Sequence, residues 1–535
     1  MRIKNTSFLA AVAAAAGSSL FVSCAEAPPP PVQTTAAVAA GPEAMPAAAT
    51  AVPVSATAAT PPRVTPDADF RANKPAPGPD VVFKVPAVKR FKLKNGLPVI
   101  LAESHELPLV TFDLNIKSGG AANPKGMAGL ADLTSNMLDE GTKTRSALQI
   151  ADEVAFLGAN LGVGASWESS SVSIGTLSKN VDQALAIWAD VIVNPVFDEK
   201  ELSRLRENLL TALTRRKDSP PQVASLTYAR ALYGEDHPYA WPQNGTEETI
   251  KKMTVADLKK FYDTHYRPGN AVLAVSGDIT EAEVKAKLEP LLKAWKPKAV
   301  AEVKLPKAPQ HGKTRVYLVD KAGAPQSSIR VGLIGIERRH PDYFPALVMN
   351  MVLGGTGFHR LGLNLREGKG WTYGVSCGFD MRKTPGPWTA SGEFVAARTA
   401  DSVNEILGEI KKMRDVDVPE DELRQAKDYI IKAFPTRFAT DNAIAAQMVS
   451  LALYGLPDAY WDSFTQKLAT VTVADVRKMA QKYLQPSNLA IVVVGDQKSN
   501  EEALKKIADL ELRDLEGKPV VMAAADAAPG AKTAN

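Results

Sequence analysis

Residues 126–142, with the sequence GMAGLADLTSNMLDEGT, decide how the rest of this chain is interpreted. Apolar residues recur in this stretch at steps of three and four, which is the period of an amphipathic helix. The sequence therefore predicts a helix here, with Gly141 at its C-terminus, where glycine is common. Three polar residues, Asp132, Ser135 and Asn136, stand at positions i, i+3 and i+4 and are expected to share one face of that helix.

This spacing is the one at which a helix can hold a zinc ion. In the pattern H-x-x-E-H, two histidines one turn apart bind the metal and the glutamate polarises the water bound to it. Here Asp132 and Asn136 occupy the histidine positions, and Ser135 occupies the glutamate position. One carboxylate with hydroxyl and amide neighbours is a poor zinc site.

The histidines of the whole chain lead to the same expectation. No two of the six lie within five residues of each other, so H-E-x-x-H, H-x-x-E-H and H-x-H do not occur. The six are His105, His237, His265, His311, His340 and His359. The sequence therefore predicts that this chain binds no metal and no other cofactor.

Residues 129–142 resemble the active-site helix of the M16 (pitrilysin/insulinase) metallopeptidases, which read roughly G-x-x-H-x-L-E-H-x-L-x-x-G-T. The third zinc ligand of that family is a glutamate on a later helix. The resemblance places its position at Ala212, on a helix predicted over residues 201–217. None of the family's ligands is present at Asp132, Ser135, Asn136 or Ala212. The resemblance covers residues 83–515 and implies two homologous domains around a chamber.

An internal repeat supports two copies of one domain. Thr-Val-Ala-Asp at residues 254–257 recurs at 472–475, and Gly-Asp at 277–278 recurs at 495–496, in both cases 218 residues later. Strand-like runs at Leu109–Ile116 and residues 328–334 alternate with helical patterns at residues 200–217 and 421–433. We predict an α+β fold in which each copy has a mixed or antiparallel sheet covered by helices.

The predicted organisation has five parts. Residues 1–24 resemble a lipoprotein-type signal peptide, with Cys24 as the lipidated residue, although plain secretion remains an alternative. Residues 25–80 form an Ala/Pro-rich disordered tether. The N-terminal domain, with the degenerate zinc motif, spans 81–300, and the C-terminal domain spans 313–515. A disordered tail over 516–535 is Ala-rich from Ala523.

Composition excludes several classes of protein. A formal net charge of +4 over 535 residues gives no reason to expect nucleic-acid binding. The chain has two cysteines, Cys24 and Cys377, and the first is expected to be acylated, so no internal disulfide is expected. A lipidated Cys24 would attach the protein to a membrane, and Ala25 after it favours the outer membrane facing the periplasm.

The second copy carries the functional argument. Gly354 and Gly355 begin a glycine-rich loop, which is interpreted as lining the substrate chamber. Arg366 and Tyr373, seven residues apart, match an Arg and a Tyr of the M16 C-terminal domain that reach the zinc site. The resemblance implies that the Tyr donates to a tetrahedral oxyanion and that the Arg binds peptide carbonyls. An alternative is that Arg366 caps a helix and Tyr373 is a core residue.

Loss of every zinc ligand beside a retained Arg/Tyr pair resembles the partner chain of two-chain M16 enzymes. The sequence therefore predicts the complementing subunit of a heterodimeric zinc metalloendopeptidase that degrades peptides in the bacterial periplasm. Zinc is expected in the partner subunit. The alternative is a non-catalytic scaffold or peptide-binding member of the family. A scaffold does not need Arg366 and Tyr373, so substituting them separates the two hypotheses.

Overall fold

The computed structural model describes residues 83–309, 312–355 and 359–520. The predicted signal peptide with Cys24, the predicted tether, and residues 521–535 of the predicted tail lie outside these ranges. Within the described ranges, no helix is both long enough and apolar enough to cross a lipid bilayer.

The first half of the described chain builds one sheet and its covering helices. The strands are β1 (Lys89–Lys92), β2 (Pro98–Glu103), β3 (Leu109–Ile116), β4 (Asn160–Ala165), β5 (Ser170–Leu177) and β6 (Ala271–Gly277). The helices are α1 (Leu130–Asn136), α2 (Ala147–Phe156), α3 (Val181–Val193), α4 (Glu199–Arg216), α5 (Pro220–Tyr233), α6 (Glu247–Lys252), α7 (Val255–His265) and α8 (Glu281–Leu291).

The second half repeats this plan. The strands are β7 (Arg315–Asp320), β8 (Gln326–Ile334), β9 (Thr372–Phe379), β10 (Pro387–Val395), β11 (Ala490–Gly495) and β12 (Asp509–Arg513). The helices are α9 (Tyr343–Gly354), α10 (Arg360–Gly362), α11 (Thr399–Asp415), α12 (Glu420–Ala433), α13 (Asp441–Tyr454), α14 (Phe464–Ala469), α15 (Val473–Tyr483) and α16 (Gln497–Lys505). A π-helix (Leu363–Gly368) continues α10.

The two sheets have matching strand orders. The first runs β1-β2-β6-β3-β5-β4 and the second runs β12-β7-β11-β8-β10-β9. In the first sheet β2 and β6 are parallel, and in the second sheet β7 and β11 are parallel. The neighbouring pairs that run from β6 to β4 in the first sheet, and from β11 to β9 in the second, are antiparallel. The predicted α+β fold of two homologous halves with mixed sheets is confirmed.

The repeated Thr-Val-Ala-Asp segments form the N-terminus of a helix in each half. Thr254 and Thr472 are the N-caps of α7 and α15, and each accepts a hydrogen bond from the backbone N–H of the aspartate three residues on. Asp257 and Asp475 accept the N-cap N–H in return, at 2.9 and 3.0 Å. These reciprocal capping boxes fix where both helices begin.

The halves are joined by an exchange of helices. Each sheet packs one face on helices of its own half, and the opposite face, here called the exchange face, on a helix of the other half. Helix α13 contributes Ala445, Met448 and Val449 to a cluster with Ile100 and Val272 of the first sheet. Helix α5 packs on the exchange face of the second sheet through a larger cluster, comprising Val223, Ala224, Tyr228, Leu232, Tyr317, Val319, Val492 and Val494.

Hydrogen bonds between the halves fix the position of each exchanged helix on its sheet. The Tyr228 hydroxyl on α5 donates to the carbonyl oxygen of Trp388 on β10 at 2.7 Å. On the other side, the Thr111 hydroxyl donates to Asn442 at 2.9 Å, and the Ser276 hydroxyl donates to Asp441 at 3.1 Å. Each half therefore needs the other to cover its sheet.

The helix predicted over residues 126–142 is shorter than expected. Helix α1 begins after Gly129, whose φ of 95° is left-handed and cannot continue a helix, and it ends before Met137. Gly141 does not cap it. This glycine has a φ of 131° and forms a β-bridge with Ser146, so it belongs to a separate turn. The predicted position of Gly141 at the helix C-terminus was wrong.

The beginning of the predicted disordered tail is also structured. Pro519 forms a β-bridge with Arg513, and Gly517 lies against Thr227 of α5. Glu516 lies 3.5 Å from the Arg216 guanidinium. Residues 516–520 therefore form a turn that packs on the first half, where Glu516 pairs with Arg216 of α4 and Gly517 contacts Thr227 of α5.

Candidate functional site

The polar face of α1 is largely buried and satisfied within the chain. The Ser135 hydroxyl donates to the carbonyl oxygen of Gly164 on β4 at 2.7 Å and lies 3.3 Å from the Tyr266 hydroxyl. Asp132 is hydrogen-bonded to Asn136 one turn later, yet burial raises the pKa of its carboxyl to about 6. The structure thus brings Asp132, Ser135 and Asn136 together on one face, as their spacing predicts.

Ala212 lies on the exposed surface of α4, which spans nearly the range predicted for it. Its methyl group lines a surface pocket of about 460 Å³, together with two arginines that follow it, Arg215 and Arg216. Helix α4 therefore presents cationic side chains near the position where the family has a carboxylate ligand.

Arg366 and Tyr373 lie side by side on the second half. Tyr373 is at the start of the edge strand β9 and is 85% exposed, and its phenol makes no hydrogen bond to the described residues. The Arg366 guanidinium lies 5.2 Å from the centre of the Tyr373 ring, in a cation–π contact, and 3.3 Å from the Glu367 carboxylate. The alternative in which Tyr373 is a core residue disagrees with the exposure of its side chain.

The segment that carries Arg366 is held to α11 by charged contacts. Arg366 is on the π-helix, a type of backbone that frequently occurs at functional sites. Asn364 donates at 2.9 Å to both Glu405 and Glu409 of α11, and the Lys369 ammonium lies 3.1 Å from Glu405. These contacts, with the Asn364 hydrogen bond as the larger cause, lower the pKa of Glu405. The side chains on either side of Arg366 are thereby fixed.

Gly354 and Gly355 are buried at the C-terminus of α9, and do not lie in an open loop. A Cβ on Gly354 would lie 2.6 Å from the Cys377 sulfur, and a Cβ on Gly355 would lie 2.2 Å from the Met351 sulfur. Close packing therefore explains both glycines. The expectation that these two residues line a flexible chamber loop is replaced by this packing role.

Sequence inspection missed one group near α13. Asp113 points to the exchange face of β3, where burial raises the pKa of its carboxyl to about 6 although Asn115 donates to it at 2.8 Å. The signal was an aspartate between Thr111 and Asn115, on the polar face of the alternating strand LVTFDLNI. The burial of Asp113 could not be predicted from this pattern, because strand alternation does not show which face of the sheet is covered by a helix of the other half.

Comparison with known proteins agrees with the geometry of both halves. Residues 98–237 match the family described as Insulinase (Peptidase family M16), and residues 252–430 match its Peptidase M16 inactive domain. The chain is a member of the M16 peptidase family. A crystal structure of a peptidase M16 inactive domain from Pseudomonas fluorescens is 29% identical, with a TM-score of 0.72, and the match covers 76% of this chain and 98% of that chain.

Two curated M16 relatives have contrasting names. An uncharacterized zinc protease YmxG of Bacillus subtilis is 26% identical over 328 residues, which cover 61% of this chain and 79% of that protein. The protein called non-peptidase homolog YmxG of Helicobacter pylori is 22% identical over 406 residues, which cover 76% of this chain and 93% of that protein. The M16 family therefore contains relatives named as proteases and relatives named as non-peptidases.

The residues at the M16 zinc positions of this chain do not fit the metal. The Ser135 hydroxyl is already used by a backbone carbonyl, Asn136 offers an amide, and Ala212 has no ligand atom. That leaves Asp132 as a single carboxylate whose pKa is raised to about 6 by burial. Within the described residues, no group of three or more His, Cys, Asp or Glu side chains is arranged to hold a metal ion.

Proposed function

We propose that this chain is the zinc-less subunit of a two-chain M16 metalloendopeptidase, and that it supplies Arg366 and Tyr373 to an active site on a zinc-binding partner. The observation that carries the proposal is the 85% exposure of Tyr373, whose hydroxyl has no partner within the described chain. Tyr373 is exposed on an edge strand and lies beside Arg366, so both side chains are available to a second molecule.

The chemistry follows from the donors that the pair presents. The Tyr373 hydroxyl can donate a hydrogen bond to the oxyanion that forms when a peptide carbonyl is attacked. The planar guanidinium of Arg366 can donate to carbonyl oxygens of the same peptide. Their cation–π contact limits the freedom of both side chains before substrate arrives. The metal and the general base would belong to the partner.

The proposed setting is the periplasm, with the chain attached to the outer membrane through a lipidated Cys24, or secreted. Peptides or unfolded segments are the proposed substrates. The proposed location rests on the sequence of residues 1–25.

Complementation of activity tests the proposal. The purified chain is assayed for cleavage of a peptide mixture alone, and again after mixing with a zinc-motif M16 protein from the same organism. We expect no cleavage by the chain alone and cleavage by the mixture. Tyr373→Phe should lower kcat of the mixture by about a hundredfold, the cost of losing one oxyanion donor. Tyr429→Phe, at an exposed tyrosine of α12, is the matched control and should be silent.

Two results would contradict the proposal. Chelator-sensitive cleavage by the chain alone would mean that it has a metal site of its own. Equal activity of the Tyr373→Phe and Tyr429→Phe mixtures would favour the scaffold or peptide-binding alternative, which the name of the Helicobacter pylori relative also favours.

A further inference from the structure

A pocket of about 460 Å³ lies on the first half, where α4 meets the start of α5 and the segment before α6. Its volume falls within the range of roughly 300–1,000 Å³ that is usual for ligand-binding pockets. Asn208, Arg215 and Arg216 of α4, Gln222 of α5 and Asn244 provide its polar lining. Among the described residues that line it there is no carboxylate.

Arg216 forms a fixed wall of this pocket. The residue is only 7% exposed. One guanidinium nitrogen donates to the carbonyl oxygen of Gly245 at 3.4 Å, and another lies 3.5 Å from Glu516. Both contacts are at the long end of the hydrogen-bond range, so they leave donor capacity for a ligand.

Of the other polar side chains that line the pocket, Thr211 donates to the carbonyl oxygen of Glu207 at 3.0 Å, and four have no partner within the described chain. Asn208, Arg215, Gln222 and Asn244 make no side-chain hydrogen bond or ion pair to the described residues. By contrast, Arg204 on the same helix binds both Glu140 and Glu201. These four side chains are exposed or partly exposed, so their donors and acceptors are available to a ligand in the pocket.

We propose that this pocket binds an acidic segment of a peptide. The guanidinium groups of Arg215 and Arg216 match a carboxylate, which accepts two parallel N–H bonds from an arginine. The amides of Asn208, Gln222 and Asn244 each offer a donor and an acceptor, as the peptide backbone does. A phosphate ion carries only one or two O–H donors near neutral pH, too few to pair all three amide oxygens.

Ala212 makes room for this ligand. It lines the pocket one turn before both arginines, at i−3 and i−4 on the helix. A glutamate at this position would reach Arg215 and Arg216 along the helix surface and would neutralise them within the chain. The small side chain at residue 212 therefore leaves Arg215 without a partner on the helix and Arg216 with only its long contacts to Gly245 and Glu516.

The test uses the full chain and a defined mixture of octapeptides in which Glu or Gln occupies the central positions and all other positions match. The immobilised protein is equilibrated with the mixture, and the bound peptides are quantified by mass spectrometry. We expect Glu peptides to be retained about tenfold over their Gln counterparts, which corresponds to about 1.4 kcal/mol. The ratio should fall towards one in Arg215→Gln and in Ala212→Glu.

Lys200→Gln is the matched control, since Lys200 is an exposed, unpaired cation at the other end of α4. It should keep the wild-type ratio. A wild-type ratio near one, or an equal loss in Lys200→Gln and Arg215→Gln, would overturn the proposal. The inference goes beyond the proposed function and does not depend on it, because the test requires neither a zinc-binding partner nor hydrolysis.

Discussion

Replacing Asp132 by asparagine tests how the former metal-ligand face of α1 is stabilised. The carboxyl of Asp132 is buried beside Asn136, and burial raises its pKa from an ordinary 3.8 to about 6. Asp132→Asn keeps the shape of the side chain and its hydrogen bond to Asn136 but removes the ionisation. The substitution therefore isolates the free-energy cost of a buried charge.

The sign and size of the effect follow from proton linkage. Because the pKa is higher in the folded state, the folded chain binds more protons than the unfolded chain between pH 4 and pH 6. The free energy of unfolding contributed by Asp132 therefore decreases as the pH rises through this window and is constant above it. A pKa rise of about 2 units at 1.36 kcal/mol per unit gives a cost of about 3 kcal/mol at pH 7.5.

Urea unfolding of the wild type and Asp132→Asn at pH 4.0 and pH 7.5 measures this cost. The variant should gain about 2.4 kcal/mol relative to the wild type between the two pH values, because the unfolded carboxyl is already more than half ionised at pH 4.0. Asp152→Asn, at an exposed aspartate of α2 without hydrogen bonds or ion pairs, is the control and should show no such gain. The same wild-type-to-variant difference at both pH values would refute the assignment of a buried, high-pKa carboxyl to Asp132.

Two further predictions concern packing. Gly354→Ala should lower the free energy of unfolding by about 1–3 kcal/mol, because its Cβ would lie 2.6 Å from the Cys377 sulfur. Gly408→Ala on α11 has open space around the new Cβ and should instead raise it by up to about 1 kcal/mol. Tyr228→Phe should cost about 1 kcal/mol by removing the donor to the Trp388 carbonyl, whereas Tyr429→Phe should not. Denaturant titrations of these variants check both predictions, and a stable Gly354→Ala protein would contradict the packing role of Gly354.

The parts of the fold that depend on local pattern could be predicted from the sequence. The repeated Thr-Val-Ala-Asp segments proved to be two capping boxes, because this motif carries its own hydrogen-bond partners three residues away. The strand Leu109–Ile116 has the predicted bounds, since alternation within it is regular. The length of α1 was not predictable from periodicity, which continues through residues 137–138 although the backbone leaves the helix there.

The candidate sites show a similar limit. The spacing of Asp132, Ser135 and Asn136 was sufficient to place them on one face of a helix. It was not sufficient to show that the Ser135 hydroxyl donates to the carbonyl oxygen of Gly164 on β4. The exposure of Tyr373 depends on β9 being a sheet edge, which follows from strand order and not from local sequence. Arg215 and Asn244 line the same proposed acidic-peptide pocket although they are far apart in the sequence. No rule of sequence spacing predicts that they lie together.

The exchange of α5 and α13 makes the two halves behave like an obligate dimer whose subunits happen to be covalently connected. Each half alone would expose one apolar sheet face and one apolar helix, so neither has a complete core by itself. A chain cut between residues 296 and 309, where no helix or strand is present, would leave two fragments that must fold together.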